Sequence, residues 1–123
     1  MEKANLDRVP AFITTDGSSI RELAGRAGTG TNAHKQSLAE ARLEPGQETA
    51  EHFHPRAEEL YYFVAGEGRM RLGEDEEPVA RGDCVVIGPG TPHKLWNTGT
   101  APLVLLCCCA PGYSDDDTVM TGG

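Results

Sequence analysis

His52 and His54 stand one residue apart in "EHFHPRAEEL", and Glu59 follows after a short Pro-Arg-Ala break. Side chains at i and i+2 of a strand share a face, so the two imidazoles project together while Phe53 takes the opposite side. Two neutral imidazoles side by side make half of a metal site. Pro55 interrupts strand pairing. A chain that turns through "PRA" then opens its next strand at Glu59, whose carboxylate can return toward the histidines, and Glu58 points away. The only later histidine, His93, follows "GDCVVIGPGTP", which reads as a strand and a Pro-Gly turn. His52, His54, His93 and Glu59 together suit one divalent transition metal: Mn, Fe, Ni, Zn or Cu. Such an ion with an open position polarises a carbonyl, lowers the pKa of bound water or takes up dioxygen.

The elements that would carry these residues are short. Glycine and proline recur at even intervals: Pro45-Gly46, Gly66 to Gly68, Gly73, Gly82-Asp83, Pro89-Gly90, Gly99 and Pro111-Gly112. The segments between them are rich in Val, Leu, Tyr and Phe, the rhythm of an all-β sandwich or barrel. Strands are expected at Ser37–Leu43, Glu59–Val64, Arg69–Leu72, Cys84–Ile87, His93–Asn97 and Leu103–Cys109. "KQSLAEARLEPG" is built of helix formers. Ser37, Ala39, Ala41 and Leu43 nevertheless alternate against Glu40 and Arg42, which favours a strand. "SSIRELAGRAG" (18–28) reads as a short helix with Ser18 as cap and Gly25 as stop. Residues 25–35 read as a loop. Its "GTGT" is no phosphate loop, because the preceding strand and the Lys-Ser/Thr end are missing. His34 is an ordinary loop histidine. "GEDEEP" (73–78) reads as a solvated hairpin turn and "YSDDDTVMTGG" (113–123) as a solvated tail.

The chain has 123 residues and a formal charge of −8, enough for one globular domain. Its eleven Lys and Arg are scattered, which argues against nucleic-acid and anionic-membrane partners. No apolar leader or membrane-length run is visible, so a cytoplasmic location is the default expectation. Cys84 stands alone, and Cys107, Cys108 and Cys109 are adjacent on a predicted strand. Cys107 and Cys109 share one face there and Cys108 takes the other. This is no disulfide or zinc-finger spacing, and buried strand packing is the simplest role.

"GQETAEHFHPRAEELYYFVAG" (46–66) resembles the first motif of the cupins: Gly46, His52, His54, Glu59 and Gly66 fall on its positions. "GDCVVIGPGTPHKLWN" (82–97) resembles the second, with Gly82, Gly90, His93 and Asn97 in place and Gly88 where the family has its first proline. The resemblance implies a small single-domain cupin: a double-stranded β-helix, jelly-roll-like barrel over residues 36–112. An N-terminal extension (1–35) and a C-terminal tail (113–123) flank it. It also implies that His52, His54, Glu59 and His93 hold one divalent metal. It further implies a homodimer to which the extension contributes a contact.

The expected activity is that of a metal-dependent enzyme on a compact polar or carbonyl substrate, of isomerase or lyase type. Tyr61, sharing Glu59's strand parity, is the candidate catalytic residue, and barrel packing of Tyr61 and Phe63 is the competing role. An oxygen-dependent dioxygenase and a non-catalytic module binding a sugar or small acid are the alternatives. A phosphosugar isomerase ranks lower, because no basic cluster awaits a phosphate; Arg69 and Arg71 read as solvated surface. Asn97 is expected to fix a turn, and Trp96 to pack outside the lumen.

Overall fold

The computed structural model describes residues 1–123. The strands are β1 (Phe12–Ile13), β2 (Ser19–Gly25), β3 (Thr31–Asn32), β4 (Ser37–Leu43), β5 (His52–Phe53) and β6 (Glu58–Ala65). They continue with β7 (Glu67–Leu72), β8 (Asp75–Ala80), β9 (Cys84–Ile87), β10 (His93–Asn97), β11 (Leu103–Ala110) and β12 (Val119–Met120). Two 3-10 turns, Leu6–Arg8 and Asp115–Asp117, lie near the ends. One sheet runs β1-β2-β4-β11-β6-β9, with β3 added in parallel to β2. The other runs β12-β5-β10-β7-β8. All pairings except β2–β3 are antiparallel, as the resemblance implied for a cupin barrel.

β4 shows why alternation outweighs helix propensity. Ser37, Ala39, Ala41 and Leu43 all face inward and are buried, while Arg42 is exposed. Pairing with β2 on one side and β11 on the other ties the strand into the sheet, whereas an isolated helix of this length is marginal in water. The core joins Leu43, Phe63, Ile87, Leu103 and Leu105 of the larger sheet to Met70, Val79 and Leu95 of the smaller. On β10 the inward row is His93, Leu95 and Asn97; Trp96 lies on the outer side, with Arg71 and Lys94 over its ring.

Asn97 fixes a turn, as expected. Its Nδ2 donates to the carbonyls of Leu43 and Ala101, and its Oδ1 accepts from the Gly99 amide. Gly66, closing the first motif, has φ +85 and leaves no room for a side chain. A Cβ there would sit 2.5 Å from the Pro102 carbonyl oxygen.

Four expectations fail. Residues 25–35 are not all loop: Gly25 ends β2, and Thr31–Asn32 is β3, paired in parallel with it. Residues 18–28 form no helix: Ser19–Gly25 is β2, with Ile20 and Glu22 facing inward against Ala41 and Ala39. A helix of that length is marginal in water, whereas the strand completes a sheet. "GEDEEP" is not all turn. Only Gly73-Glu74 turn, and β8 runs from Asp75 along β7 with Val79 as its buried residue. The last segment is not simply a solvated tail. β12 pairs with β5, and Asp117 is buried.

Candidate metal centre

β5 and β10 pair through His93 opposite His52, and His54 follows two residues beyond His52 on the same face. All three imidazoles are buried, and their candidate ligand nitrogens lie within 4.8 Å of one another. Each ring is held by its Nδ1, which donates to a backbone carbonyl: His52 to Ala50 at 2.9 Å, His54 to Asp117 at 2.8 Å and His93 to Thr91 at 3.0 Å. That fixes one tautomer and leaves each Nε2 lone pair facing the lumen. The Gly90 turn, with φ +78, adds a tie: its amide donates to the His54 carbonyl at 2.8 Å. The second motif thereby braces the first.

Glu59 enters from β6. Its Oε1 lies 3.3 Å from His54 Nε2 and 3.5 Å from His93 Nε2. Its Oε2 accepts from the Cys109 thiol at 3.2 Å. Glu58 points outward and is exposed.

Glu59 Oε1 and His93 Nε2 are buried without any hydrogen-bond partner. Such orphans are costly, and an ion between these atoms would satisfy both. Donor atoms about 2.0–2.1 Å from a shared ion stand roughly 3–4 Å apart, the range of the Glu59 separations. The residues fit a divalent metal.

Burial alone would raise the Glu59 carboxyl, but the nearby His54 and His93 imidazoles outweigh it and hold the group at about 2. His54 is the counterpart. Burial would lower it, yet Glu59 and the Asp117 carbonyl leave it raised above 6.5. His52 is lowered, first by burial and then by His93. Without metal the pair therefore favours a proton on His54 more than solution does, and favours the carboxylate at Glu59.

The lumen around these groups is narrow, with about 580 Å³ of empty space, mouth included. Any occupant is small. Tyr61 lines it, as its parity implied, and packs edge-on to His93 with ring centroids 5.9 Å apart. Burial pushes its hydroxyl well above its ordinary pKa, so it stays a neutral donor. Cys107 and Cys109 face the lumen, and burial raises both thiols. His34 is exposed on its loop, apart from the site.

Sequence reasoning missed four lumen or rim residues. Asp16 Oδ2 lies 3.6 Å from His52 Nε2. Glu22, from β2, is only 2% exposed and lines the lumen, with Oε2 accepting from the Ala27 amide at 2.7 Å. Burial raises its pKa. Asp117 accepts from the Arg56 and Ala57 amides and so sets the carbonyl that holds His54. Tyr113 lines the mouth, its hydroxyl pushed up to about 12 by burial and Asp115. The inward parity of Ile20 and Glu22 was the one available signal, and it needed β2 to be read as a strand.

Residues 39–109 match the family model described as "Cupin domain". An uncharacterized protein of Methanocaldococcus jannaschii, MJ1618, is 44% identical over 94% of this chain and 91% of its own length. An oxalate-binding protein of Thermotoga maritima is 32% identical over 56% of this chain and 57% of its own. The solved Streptomyces protein Pac13, a nucleoside dehydratase, superposes with a TM-score of 0.78 at 19% identity, covering 99% of this chain and 92% of that one. At that identity the likeness is one of fold.

Proposed function

The chain belongs to the cupin family, and from that premise we propose that it is a metal-dependent enzyme acting on a compact polar or carbonyl substrate by proton transfer, as an isomerase or lyase. The observation that carries the reading is the convergence of three Nε2 atoms and the partnerless Glu59 Oε1 in one buried lumen. His52, His54, His93 and Glu59 would hold one divalent ion: Mn, Fe, Ni, Zn or Cu. When bound, that ion polarises an oxygen of the ligand beside it.

The chain's own groups supply the rest. Glu59, held at about 2, stays a carboxylate, while Glu22 is raised by burial in the same lumen. Two carboxyls pushed apart in this way divide into a fixed charge and a proton carrier. Glu22 takes a proton from the substrate and returns it to a neighbouring atom, so no redox partner is needed. Tyr61, neutral and buried, donates a hydrogen bond to the oxygen on which charge develops. The narrow lumen excludes bulk water from the exchange.

The test uses the metal-loaded protein in D2O with a panel of small hydroxy acids, oxo acids and aldoses. Deuterium entering carbon, and lost in Glu22→Gln, is the expected result. A second reading, a module that binds a small acid without reaction, is supported by the Thermotoga relative's name. Thermal stabilisation by a panel acid with no exchange would decide for it.

The protein is proposed to work as a homodimer. The outer side of β6 and β9 exposes Leu60, Tyr62 and Val86 together, an apolar face a second copy would cover. Sedimentation at the mass of one 13.2 kDa chain would rule this out. The four cysteines are unpaired, which supports a reducing, cytoplasmic setting. Fractionation with periplasmic or secreted markers would contradict it. No helix is long and apolar enough to cross a membrane.

A further inference from the structure

The turn between β1 and β2, Thr14–Ser18, dips into the lumen from the N-terminal extension. Asp16 at its tip is held on one side only. Its Oδ1 accepts from Thr14 Oγ1 at 2.6 Å, the Ser18 amide at 2.9 Å and Ser18 Oγ at 2.7 Å. Its carbonyl accepts from the Ala50 amide at 2.8 Å, and the Ala50 carbonyl in turn accepts from His52 Nδ1 at 2.9 Å. The turn and the His52 ring are therefore both tied to the backbone of one residue, Ala50. Three donors fix Oδ1, while Oδ2 takes no hydrogen bond and faces His52 Nε2 at 3.6 Å. Glu59 Oε1 stands at nearly the same separation from His54 and His93, 3.3 and 3.5 Å. Glu59 thus faces His54 and His93 while Asp16 faces His52, each carboxylate with one oxygen anchored and the other toward a ligand nitrogen.

We propose that Asp16 is a further metal ligand, so that the bound ion is held by three imidazoles and two carboxylates. This rests on the metal-dependent reading above. Two carboxylates neutralise a divalent ion and shift preference toward harder ions such as Mn or Fe over soft, thiolate-seeking ones. The ligand comes from outside the two histidine-bearing motifs, so the extension closes the site as well as the sheet.

Co(II) is the probe, because its visible absorption strengthens as its coordination number falls. Asp16→Asn keeps an oxygen for the Thr14 and Ser18 donors and removes only the charged Oδ2. It is expected to weaken Co(II) binding by tenfold or more, on the order of the loss of a metal-orienting group, and to strengthen the visible bands. Ser18→Ala, which loosens the anchor without touching Oδ2, is expected to shift both readouts the same way by less. An Asp16→Asn protein that folds like the parent yet shows an unchanged Co(II) spectrum overturns the proposal, even if affinity drops, since a charge acting at a distance lowers affinity alone. A parent chain that takes up no Co(II) would instead sink the metal-dependent reading itself.

Discussion

His93→Ala is expected to weaken metal binding severely. Four-ligand zinc sites are worth about 10–16 kcal/mol in total, so one ligand contributes about 3 kcal/mol and its loss weakens affinity by roughly a hundred- to a thousandfold. His93 is the appropriate residue because its Nε2 is buried without a partner and its ring stands between His52 and Glu59. Its Nδ1 bond to the Thr91 carbonyl is also lost, and the truncation leaves a cavity. His93→Gln therefore serves as the volume-preserving comparison. Titration with Mn(II) against a competing chelator is the measurement. Affinity within threefold of the parent in both variants would remove His93 from the site.

The second expectation concerns pH in the metal-free protein. Glu59 is held at about 2 against an ordinary 4.5, so it contributes stability above about pH 4.5 that is lost as pH falls toward 2. The difference corresponds to about 3 kcal/mol. His52, lowered by burial, adds to the loss on the acid side, because its contribution is present above 6.5 and fades below it. His54 and Glu22 act oppositely. Both are raised, so their contributions are present below their ordinary values of 6.5 and 4.5 and are lost as pH rises through their folded values. Stability by denaturant unfolding should therefore peak in mildly acidic solution, at about pH 5–6.5. Glu59→Gln should flatten the acid limb. Bound metal should remove His54's share of the alkaline decline, since a ligated imidazole is already without its proton. An acid limb that is the same in Glu59→Gln and the parent would show that Glu59 is not held as a carboxylate.

The sequence disclosed the parts of this molecule whose signal is local. β4, β9 and β10 begin and end where alternation and the flanking turns place them, and β6, β7 and β11 run one or two residues further than expected. The His-x-His pair declared a shared face because strand periodicity is rigid. β2 was hidden because Arg, Glu, Leu and Ala favour helix until β4 offers a partner. β8 was hidden because four of its first five residues are acidic or proline, and Val79 alone turns inward. Asp117 was illegible for another reason: two of the donors that bury it, the amides of Arg56 and Ala57, lie some sixty positions away. A run of three aspartates therefore looked like solvated charge. Asp16 and Glu22 share this difficulty, since only the extension's pairing with β4 carries them to the lumen. The phase of Cys107 and Cys109 was undecidable from two apolar parities, and pairing with β6 settled it.

Crystals grown with Mn(II) and measured for anomalous scattering give the most direct answer. One strong peak per chain is expected, within bonding distance of His52, His54 and His93 Nε2 and of a Glu59 oxygen. A lumen with no anomalous peak at saturating Mn(II), or a peak bonded to none of the three imidazoles, would contradict the metal centre and every reading built on it.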